Sequence, residues 1–316
     1  MPNISIVIPG RNTPKEWWVR CISSVRRSAP DAEIICIDDG SDDKAPCLDQ
    51  MAGIHVVHQD NKGPSIARNV GLDIATGEWI GFVDSDDEVY DDMFSKCIEV
   101  GERDSSDVVL CGVDVIWPDD GLMKRDVIPA KNYGRLQPAD VKSLADNCLL
   151  NYIWNKVYRR SFLNRARIRF PEDAVMGEDL IFNFRCIMSG AHWSGVDCVG
   201  YRYYRTRNTL LSRYIPCLAS GLRHYSSVWR QYKEMYVDGR DVLGDYGETN
   251  EKKIDDAVWR NLWRRGSPSG FCERWMFRPG LPFFKMALMF FLRRYLYVRP
   301  MRRYLIRKKF KNIQEI

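Results

Sequence analysis

The residues best suited to chemistry lie in one short stretch, where an apolar segment runs into three carboxylates. The β-prone run at residues 79–83 leads directly into Asp84-Ser85-Asp86-Asp87, which predicts a buried strand ending in an acidic turn. Adjacent carboxylates repel one another unless a cation neutralises them, and oxygen ligands suit Mg²⁺ or Mn²⁺ better than Zn²⁺. We therefore predict that Asp84 and Asp86 hold a divalent cation that bridges to substrate phosphates.

A second use of the acidic turn stays open at this stage. Asp84 and Asp86 could cap a helix that starts near Asp91, which is an ordinary role for aspartate. A calcium loop of the EF-hand kind needs glycine at its sixth position, where this chain has Val89. The turn thus predicts a magnesium-like site or a helix cap, and calcium is disfavoured.

The elements before this turn predict where it lies. Residues 3–9 form an apolar strand pattern, residues 15–28 show helical spacing, and residues 33–37 form a second strand that ends in an acidic cluster at 38–43. Strand–helix–strand order implies a parallel sheet, and ligands bind at the carboxyl ends of its strands. Both acidic segments are therefore expected on the same rim of the sheet.

A possible phosphate site follows the second acidic cluster. A short strand at residues 54–58 leads through a turn to a predicted helix at 65–75, which Ser65 could cap. Free backbone N–H groups at helix starts attract phosphate, and Lys62 and Arg68 add positive charge. A capped helix with solvated charges explains the same residues equally well.

The middle of the chain has a less regular pattern. Residues 107–116 predict a further strand, and residues 117–138 predict an irregular connection on the acceptor side. Helical patterns follow at 138–150 and 180–188. This part of the chain is therefore expected to complete the sheet and to carry the acceptor-side loops.

Several of these segments together resemble a known family. The successive sequences IVIPGRN, IICIDDGSDD and NKGPSIARNVGLDIATGEWIGFVDSDD are similar to the amino-terminal half of family 2 inverting glycosyltransferases, over about the first 95 residues, and the likeness returns at residues 153–160 and 177–179. Those later fragments resemble bacterial capsule, teichoic-acid and O-antigen transferases. The resemblance implies an α/β GT-A fold, a Rossmann-like mixed or parallel sheet flanked by helices, with a nucleotide-sugar-binding half at 1–110 and an acceptor-binding half at 111–215.

The resemblance also implies a base and ribose pocket. Asp39 would accept a hydrogen bond from the base, and Pro9 and Asn12 would line the same pocket. Arg11 stands where the family usually has an aromatic residue, so it could reach a phosphate instead. These residues are expected to bind the nucleotide.

The same resemblance assigns the diphosphate and its ion. Arg68, with Lys62 nearby, would lie near the nucleotide. Asp86 would hold the metal, Mn²⁺ or Mg²⁺, together with Asp84 directly or through water, and Ser85 is the small middle residue that the motif tolerates. Such an ion would stabilise the departing nucleoside diphosphate.

Inverting sugar transfer also needs one general base that deprotonates the acceptor hydroxyl. By resemblance this base is Asp179, with Glu178 positioned beside it, although acids at a helix start also serve as simple caps. Trp154 reads as a packed aromatic, and Lys156 next to it could contact a donor or acceptor phosphate.

The carboxyl-terminal part differs in charge from the rest. The whole chain has a net charge of +5, but residues 258–316 hold fifteen Lys or Arg against two acids. The apolar run at 281–292 is too short to cross a bilayer, and basic residues interleaved with aromatic ones follow it. This pattern predicts a helical region over 216–316 that lies in the plane of an anionic membrane surface. A basic helix packed on its own catalytic domain is the alternative.

Cysteine usage and the amino terminus indicate the compartment. The ten cysteines show no CxxC pair, which predicts reduced thiols. The first residues form a strand pattern without a basic leader. We expect a cytoplasmic protein, peripheral on the inner face of the plasma membrane. The Arg- and aromatic-rich stretch 201–213 could stack on nucleic acid, but the acidic front half argues against that partner.

The function predicted from sequence is a metal-dependent hexosyl- or N-acetylhexosaminyltransferase. It would move a single sugar from a UDP-sugar or another nucleotide sugar to a surface glycan or polyprenyl-linked acceptor. A nucleotidyltransferase would want a Gly-rich basic loop after the first strand, where this chain has PGRN at 9–12. A catalytically inactive, membrane-bound nucleotide-sugar-binding scaffold is disfavoured because Asp39, Asp84, Asp86 and Asp179 are all present.

Overall fold

The computed structural model describes residues 3–43, 45, 47–117, 122–128, 130–147, 149–172 and 177–205. These residues form one mixed sheet flanked by helices. The strands are β1 (Ile4–Gly10), β2 (Glu33–Asp39), β3 (His55–Gln59), β4 (Trp79–Phe82), β5 (Glu88–Val89), β6 (Val108–Trp117), β7 (Leu122–Asp126), β8 (Lys131–Arg135), β9 (Lys156–Arg159) and β10 (His192–Tyr204). The helices are α1 (Lys15–Ser28), α2 (Pro64–Ile74), α3 (Met93–Arg103), α4 (Pro138–Asp146), α5 (Arg160–Arg165) and α6 (Glu178–Met188), with a 3-10 turn at Leu149–Asn151.

The sheet has the order β3-β2-β1-β4-β9-β6-β10-β5, with β7 paired to β6 and β8 paired to β10. Strands β3, β2, β1 and β4 run parallel, as the strand–helix–strand order predicts. Strand β9 is antiparallel to both β4 and β6 and joins the first four strands to the rest. The carboxyl ends of β1, β2 and β4 therefore meet at one edge, where the acidic segments lie.

Apolar packing fixes the elements that carry the site. The side chains of β1, β2 and β4 are almost wholly buried, which matches strands covered on both faces. Phe82 at the end of β4 packs edge-on against Phe170 and Phe182, and these two rings stack at 4.2 Å between centroids. Phe182 belongs to α6, so this aromatic cluster holds the start of α6 next to the end of β4.

Two glycines start the helices that carry charged site residues. Gly63 precedes α2 with φ +90°, and Gly177 precedes α6 with φ +78°. Only glycine adopts such values without strain. Pro64 occupies the first position of α2, where a missing N–H costs nothing. The N-cap of α2 is Gly63, so Ser65 lies inside the helix and is not the N-cap that the sequence predicts.

Most predicted elements are confirmed, but several segments differ. The segment 117–138 was predicted to be irregular, but it contains β7 and β8. Residues 156–159 form β9, which the sequence pattern does not predict. The helix after the acidic turn begins at Met93 without a side-chain cap, so Asp84 and Asp86 do not cap it.

The carboxyl-terminal predictions concern residues 206–316, which lie outside the described part of the chain. The predicted membrane-associating helix is therefore untested, and of the Arg- and aromatic-rich stretch 201–213 only residues 201–205 are described. Every helix among the described residues is too short or too polar to cross a bilayer.

Candidate functional site

Arg68 joins acids from two distant parts of the chain. Its guanidinium donates hydrogen bonds to Asp84 Oδ1 at 3.1 Å and to Glu178 Oε1 and Asp179 Oδ1, each at 3.0 Å. Asp84 follows β4, whereas Glu178 and Asp179 form the first turn of α6. The guanidinium also lies over the ring of Phe170, 5.5 Å from its centroid. One buried cation thus brings together a predicted metal ligand and both predicted catalytic acids.

Burial sets the protonation of this cluster. Burial lowers the pKa of the Arg68 guanidinium, but the three carboxylates outweigh it and hold the pKa above its ordinary value. For Asp179, burial is the largest influence and raises the pKa to about 8, with Glu178 and Asp84 adding to the rise while Arg68 and Lys156 oppose it. A carboxyl group with this pKa gains and loses its proton near neutral pH, as a general base must.

Asp39 fixes the loop that starts α2. Its Oδ1 accepts hydrogen bonds from Gln59 Nε2 at 2.7 Å and from the Lys62 backbone N–H at 2.8 Å, and its Oδ2 accepts the Gly63 N–H at 2.9 Å. A carboxylate offers about four acceptor sites, so capacity for a further donor remains. Because Arg68 lies on the first turns of α2, Asp39 indirectly positions the guanidinium.

The loop after β1 is tied to the loop after β2. Arg11 Nε donates to the Gly40 carbonyl at 3.1 Å, and the Asn12 N–H donates to Ser41 Oγ at 2.8 Å. The Asn12 side chain donates to the carboxylate of Asp42 at 3.1 Å and accepts the Asp42 N–H at 2.9 Å. The two loops predicted to bind base and ribose are therefore held as one unit.

The same loop also contacts the acidic turn after β4. The hydroxyl groups of Thr13 and Ser85 lie 2.8 Å apart. Pro9 is buried at the end of β1, and the next residue, Gly10, packs so closely that a Cβ there would lie 2.3 Å from the Trp18 ring and 2.8 Å from Ser85 Oγ. The side chain of Ser85 therefore holds the β1 loop in place.

The acidic turn presents its three carboxylates differently. The side chain of Asp84 is 31% exposed and bound on one oxygen by Arg68. Asp86 is partly exposed, and its carbonyl accepts a hydrogen bond from Arg20. Asp87 is completely buried and accepts bonds from the Tyr201 hydroxyl at 2.9 Å and the Tyr204 N–H at 2.8 Å. Sequence alone did not distinguish Asp87 from its neighbours.

The turn also bears on the predicted metal site. No group of three or more His, Cys, Asp or Glu side chains among the described residues could hold a metal by itself. Magnesium is commonly held by one or two carboxylates together with substrate phosphates. Asp84 and Asp86, two partly exposed carboxylates on one turn, fit an ion completed in that way, and the metal stays a prediction.

Lys156 is placed differently from its predicted role. It is wholly buried in β9, and its ammonium donates to the carbonyls of Leu149 and Tyr152 and to Asn155 Oδ1. These acceptors use all three ammonium hydrogens, so Lys156 supports the segment 149–152. The predicted role of Lys156 was instead a contact with a donor or acceptor phosphate. Burial lowers the pKa of Lys156 to about 7, against the influence of Asp179.

An aromatic stack lies beside the acidic turn. Trp154 is 2% exposed and stacks between Tyr152, at 4.5 Å, and Tyr201, at 4.2 Å. The packing interpretation of Trp154 is thus the one observed. The role of Tyr201 against the acidic turn was missed, because alternating Tyr and Arg in a strand does not reveal which carboxylate a hydroxyl will meet.

Comparisons with known proteins agree on the family. Residues 5–166 match the model of the family described as Glycosyl transferase family 2. The chain is 32% identical over 239 residues to the EpsH protein of Bacillus subtilis (strain 168), a match that covers 72% of this chain and 68% of that protein. It is 24% identical over 247 residues to the poly(ribitol-phosphate) beta-N-acetylglucosaminyltransferase TarP of Staphylococcus aureus (strain N315), covering 75% and 73%.

The fold is shared with a solved structure. The crystal structure of S. aureus TarS residues 1-349 in complex with UDP-GlcNAc aligns with a TM-score of 0.57 and 18% sequence identity. The alignment covers 85% of this chain and 75% of that one. At this identity the likeness shows the fold, which is the GT-A arrangement expected from the sequence.

Proposed function

Because the chain belongs to glycosyl transferase family 2, we propose that it transfers a single sugar from a nucleotide-diphospho-sugar to an acceptor hydroxyl, with inversion at the anomeric carbon. A UDP-sugar is the proposed donor, and a hexosyl or N-acetylhexosaminyl group is the proposed cargo. TarS, which shares the fold, has been crystallised with UDP-GlcNAc, and this supports the choice of UDP.

The observation that carries the proposal is the four-residue cluster around Arg68. The acid that follows β4 and the two acids that start α6 are about ninety residues apart in sequence, yet one guanidinium contacts all three within 3.1 Å. Inverting transfer requires the donor phosphates and the general base to flank one reacting carbon. Asp84 and Asp179 both contact the guanidinium of Arg68, so the proposed metal ligand and the proposed base lie close enough to meet that requirement.

Asp179 is the proposed general base. It would take the proton of the acceptor hydroxyl as that oxygen attacks the anomeric carbon, while the bond from this carbon to the diphosphate oxygen breaks and the electron pair leaves with the nucleoside diphosphate. Its pKa of about 8 makes it a stronger base than an ordinary carboxylate. Glu178, on the same Arg68 nitrogen, would help to orient it.

Donor binding is proposed at the rim formed by the loops after β1 and β2. Asp39 would accept a base N–H at its remaining acceptor capacity, and Pro9 and Asn12 would line the pocket. Arg11 and the exposed side chain of Lys62 would supply positive charge toward the diphosphate. Arg68 would lie near it, but its own charge is matched by three carboxylates.

A divalent cation, Mn²⁺ or Mg²⁺, is proposed at Asp86 and Asp84. Bound there with the diphosphate, it would neutralise charge on the leaving group. In this arrangement Arg68 contacts only one oxygen of Asp84, so the side chain retains an oxygen for the ion.

The acceptor is proposed to be a growing surface glycan or a polyprenyl-linked one. Peripheral association with an anionic membrane would bring the enzyme to such an acceptor. The support for it is the basic, aromatic-rich sequence of residues 281–316, which lies outside the described part of the chain.

To test this, the full chain is incubated with each of a panel of nucleotide sugars, with and without Mn²⁺. The acceptor is either a synthetic glycan or a lipid-linked glycan extracted from membranes. The expected result is release of nucleoside diphosphate that requires both one donor and an acceptor, with a β-linked product from an α-linked donor. A product with retained anomeric configuration would contradict inversion. Tight donor binding with no turnover on any acceptor would support an inactive nucleotide-sugar-binding scaffold instead.

A further inference from the structure

The side chain of Tyr201 links strand β10 to the acidic turn. Its hydroxyl accepts a hydrogen bond from the Asp84 backbone N–H at 3.1 Å and donates one to Asp87 Oδ2 at 2.9 Å. The other oxygen of Asp87 accepts the Tyr204 N–H at 2.8 Å. Asp87 also closes the turn by donating its own N–H to the Asp84 carbonyl at 3.0 Å. The turn is thus held at both ends by one strand.

Packing leaves the Tyr201 hydroxyl little freedom. The residue is completely buried, its ring stacks on Trp154 at 4.2 Å with an interplanar angle of 19°, and its backbone pairs with Val89 of β5, just after the turn. A ring confined on its face and at its backbone places its hydroxyl accurately. A small shift at this point would move the Asp84 backbone directly.

Asp87 has a different orientation from the other two acids of the turn. It is 0% exposed, and its two carboxylate oxygens are engaged by Tyr201 and Tyr204. Asp84 and Asp86 are both partly exposed. The inward acid therefore supports the turn, whereas the other two acids reach the surface of the protein.

We propose that Tyr201 and Asp87 are positioning residues that hold the acidic turn so that Asp84 and Asp86 face the diphosphate and its cation. This inference rests on the proposed function. Its physical basis is the pair of hydrogen bonds made by the Tyr201 hydroxyl. Without this hydroxyl the Asp84 N–H loses its acceptor, and the turn shifts to find another acceptor for it. A shift of about 1 Å in the ligating carboxylates is enough to weaken cation binding markedly.

The test compares UDP binding by calorimetry, in Mn²⁺ and in EDTA, for the full chain and the Tyr201→Phe variant. This change removes the hydroxyl and keeps the stacked ring. We expect the Kd for UDP in Mn²⁺ to rise about tenfold, as the loss of one to two net hydrogen bonds implies, and the Kd in EDTA to stay within about twofold. A merely structural role would weaken both equally.

Tyr203→Phe is the matched control. Tyr203 lies two residues further along β10, its ring is 5.2 Å from that of Trp154, and its hydroxyl has no described hydrogen bond to the turn. UDP binding by this variant should match that of the wild type. Equal weakening in both tyrosine variants would overturn the inference, because it would trace the effect to the aromatic cluster.

Asp87→Asn provides a second route if Tyr201→Phe does not fold. It keeps the side-chain volume but loses one of the two acceptors, so it should also weaken UDP binding in Mn²⁺ selectively. If either variant binds UDP in Mn²⁺ with wild-type affinity, this inference is overturned, and the proposed function is unaffected. Failure of the wild-type chain to bind any nucleotide in either condition overturns the proposed function, and this inference with it.

Discussion

The protonation of Asp179 gives a prediction that depends directly on the described geometry. If this carboxylate is the general base, kcat/KM rises with pH up to a plateau, and the acid limb reports its pKa in the free enzyme. With a pKa of about 8, about a tenth of the enzyme holds Asp179 in the basic form at pH 7 and about a hundredth at pH 6. Activity should therefore fall about tenfold per pH unit below this range.

Replacing Glu178 by Gln should move this limb to lower pH. The Glu178 and Asp179 oxygens each lie 3.0 Å from the same Arg68 nitrogen, so they are at most about 6 Å apart. Two like charges at that distance repel by about 0.7 kcal/mol in water and about 2.8 kcal/mol at an effective dielectric constant of 20. Removing the Glu178 charge should then lower the pKa of Asp179 by roughly 0.5 to 2 units.

The assay is the initial rate of nucleoside diphosphate release at limiting donor, from about pH 5.5 to 9.5. Glu99→Gln, which makes the same charge change on the exposed side of α3, is the control and should leave the limb in place. A wild-type profile that stays flat down to the lowest pH of the assay would refute the reasoning about Asp179. So would an unchanged limb in Glu178→Gln.

Four further outcomes are expected. Asp86→Ala should abolish the manganese-dependent thermal shift with UDP, and a persisting shift would remove it as a metal ligand. Asp179→Asn should bind donor normally and lose roughly 10²- to 10⁴-fold in kcat; retained transfer would exclude it as the base. Asp39→Ala should lower the unfolding free energy by roughly 2–4 kcal/mol in urea titrations, because three donors lose their acceptor, and wild-type stability would contradict that role. Truncation after Pro279 should release the protein from anionic vesicles, and unchanged partition would defeat membrane binding by the tail.

Stability should also depend on Asp179. Its pKa in the folded protein is raised to about 8 from about 3.9 in an unfolded chain, so the folded state binds the proton more tightly. The contribution of Asp179 to wild-type stability should therefore be lost as pH rises from about 4 to 8. Asp179→Asn lacks this titration, and its stability relative to the wild type should increase over the same range in denaturant titrations.

The sequence predicted the first half of the fold because local pattern and topology agree there. The apolar runs of β1, β2 and β4 are buried as expected, and the acids that follow β2 and β4 lie at the predicted edge of the sheet. The contact between Arg68 and Asp179 was not predicted. It joins residues 111 positions apart, and spacing carries no information about such a pair.

The elements that sequence missed have patterns governed by tertiary contacts. Strand β9 begins with Lys156, a residue type that is almost never fully buried without partners, and here three acceptors compensate its ammonium group. Strands β7 and β8, LMKRD and KNYGR, lack the alternation of a half-buried strand. Both lie off the main path of the sheet, where pairing with a neighbour outweighs side-chain pattern.

The placement of β9 has a consequence for synthesis of the chain. Strand β4 pairs on one side with β1, but the partner on its other side is made of residues 156–159, which leave the ribosome about seventy-five residues later. Until then the nascent chain carries an open, wholly apolar strand edge, which invites pairing with other chains. We expect fragments that stop before Arg159 to aggregate, and translation of this enzyme to draw on chaperones during that interval.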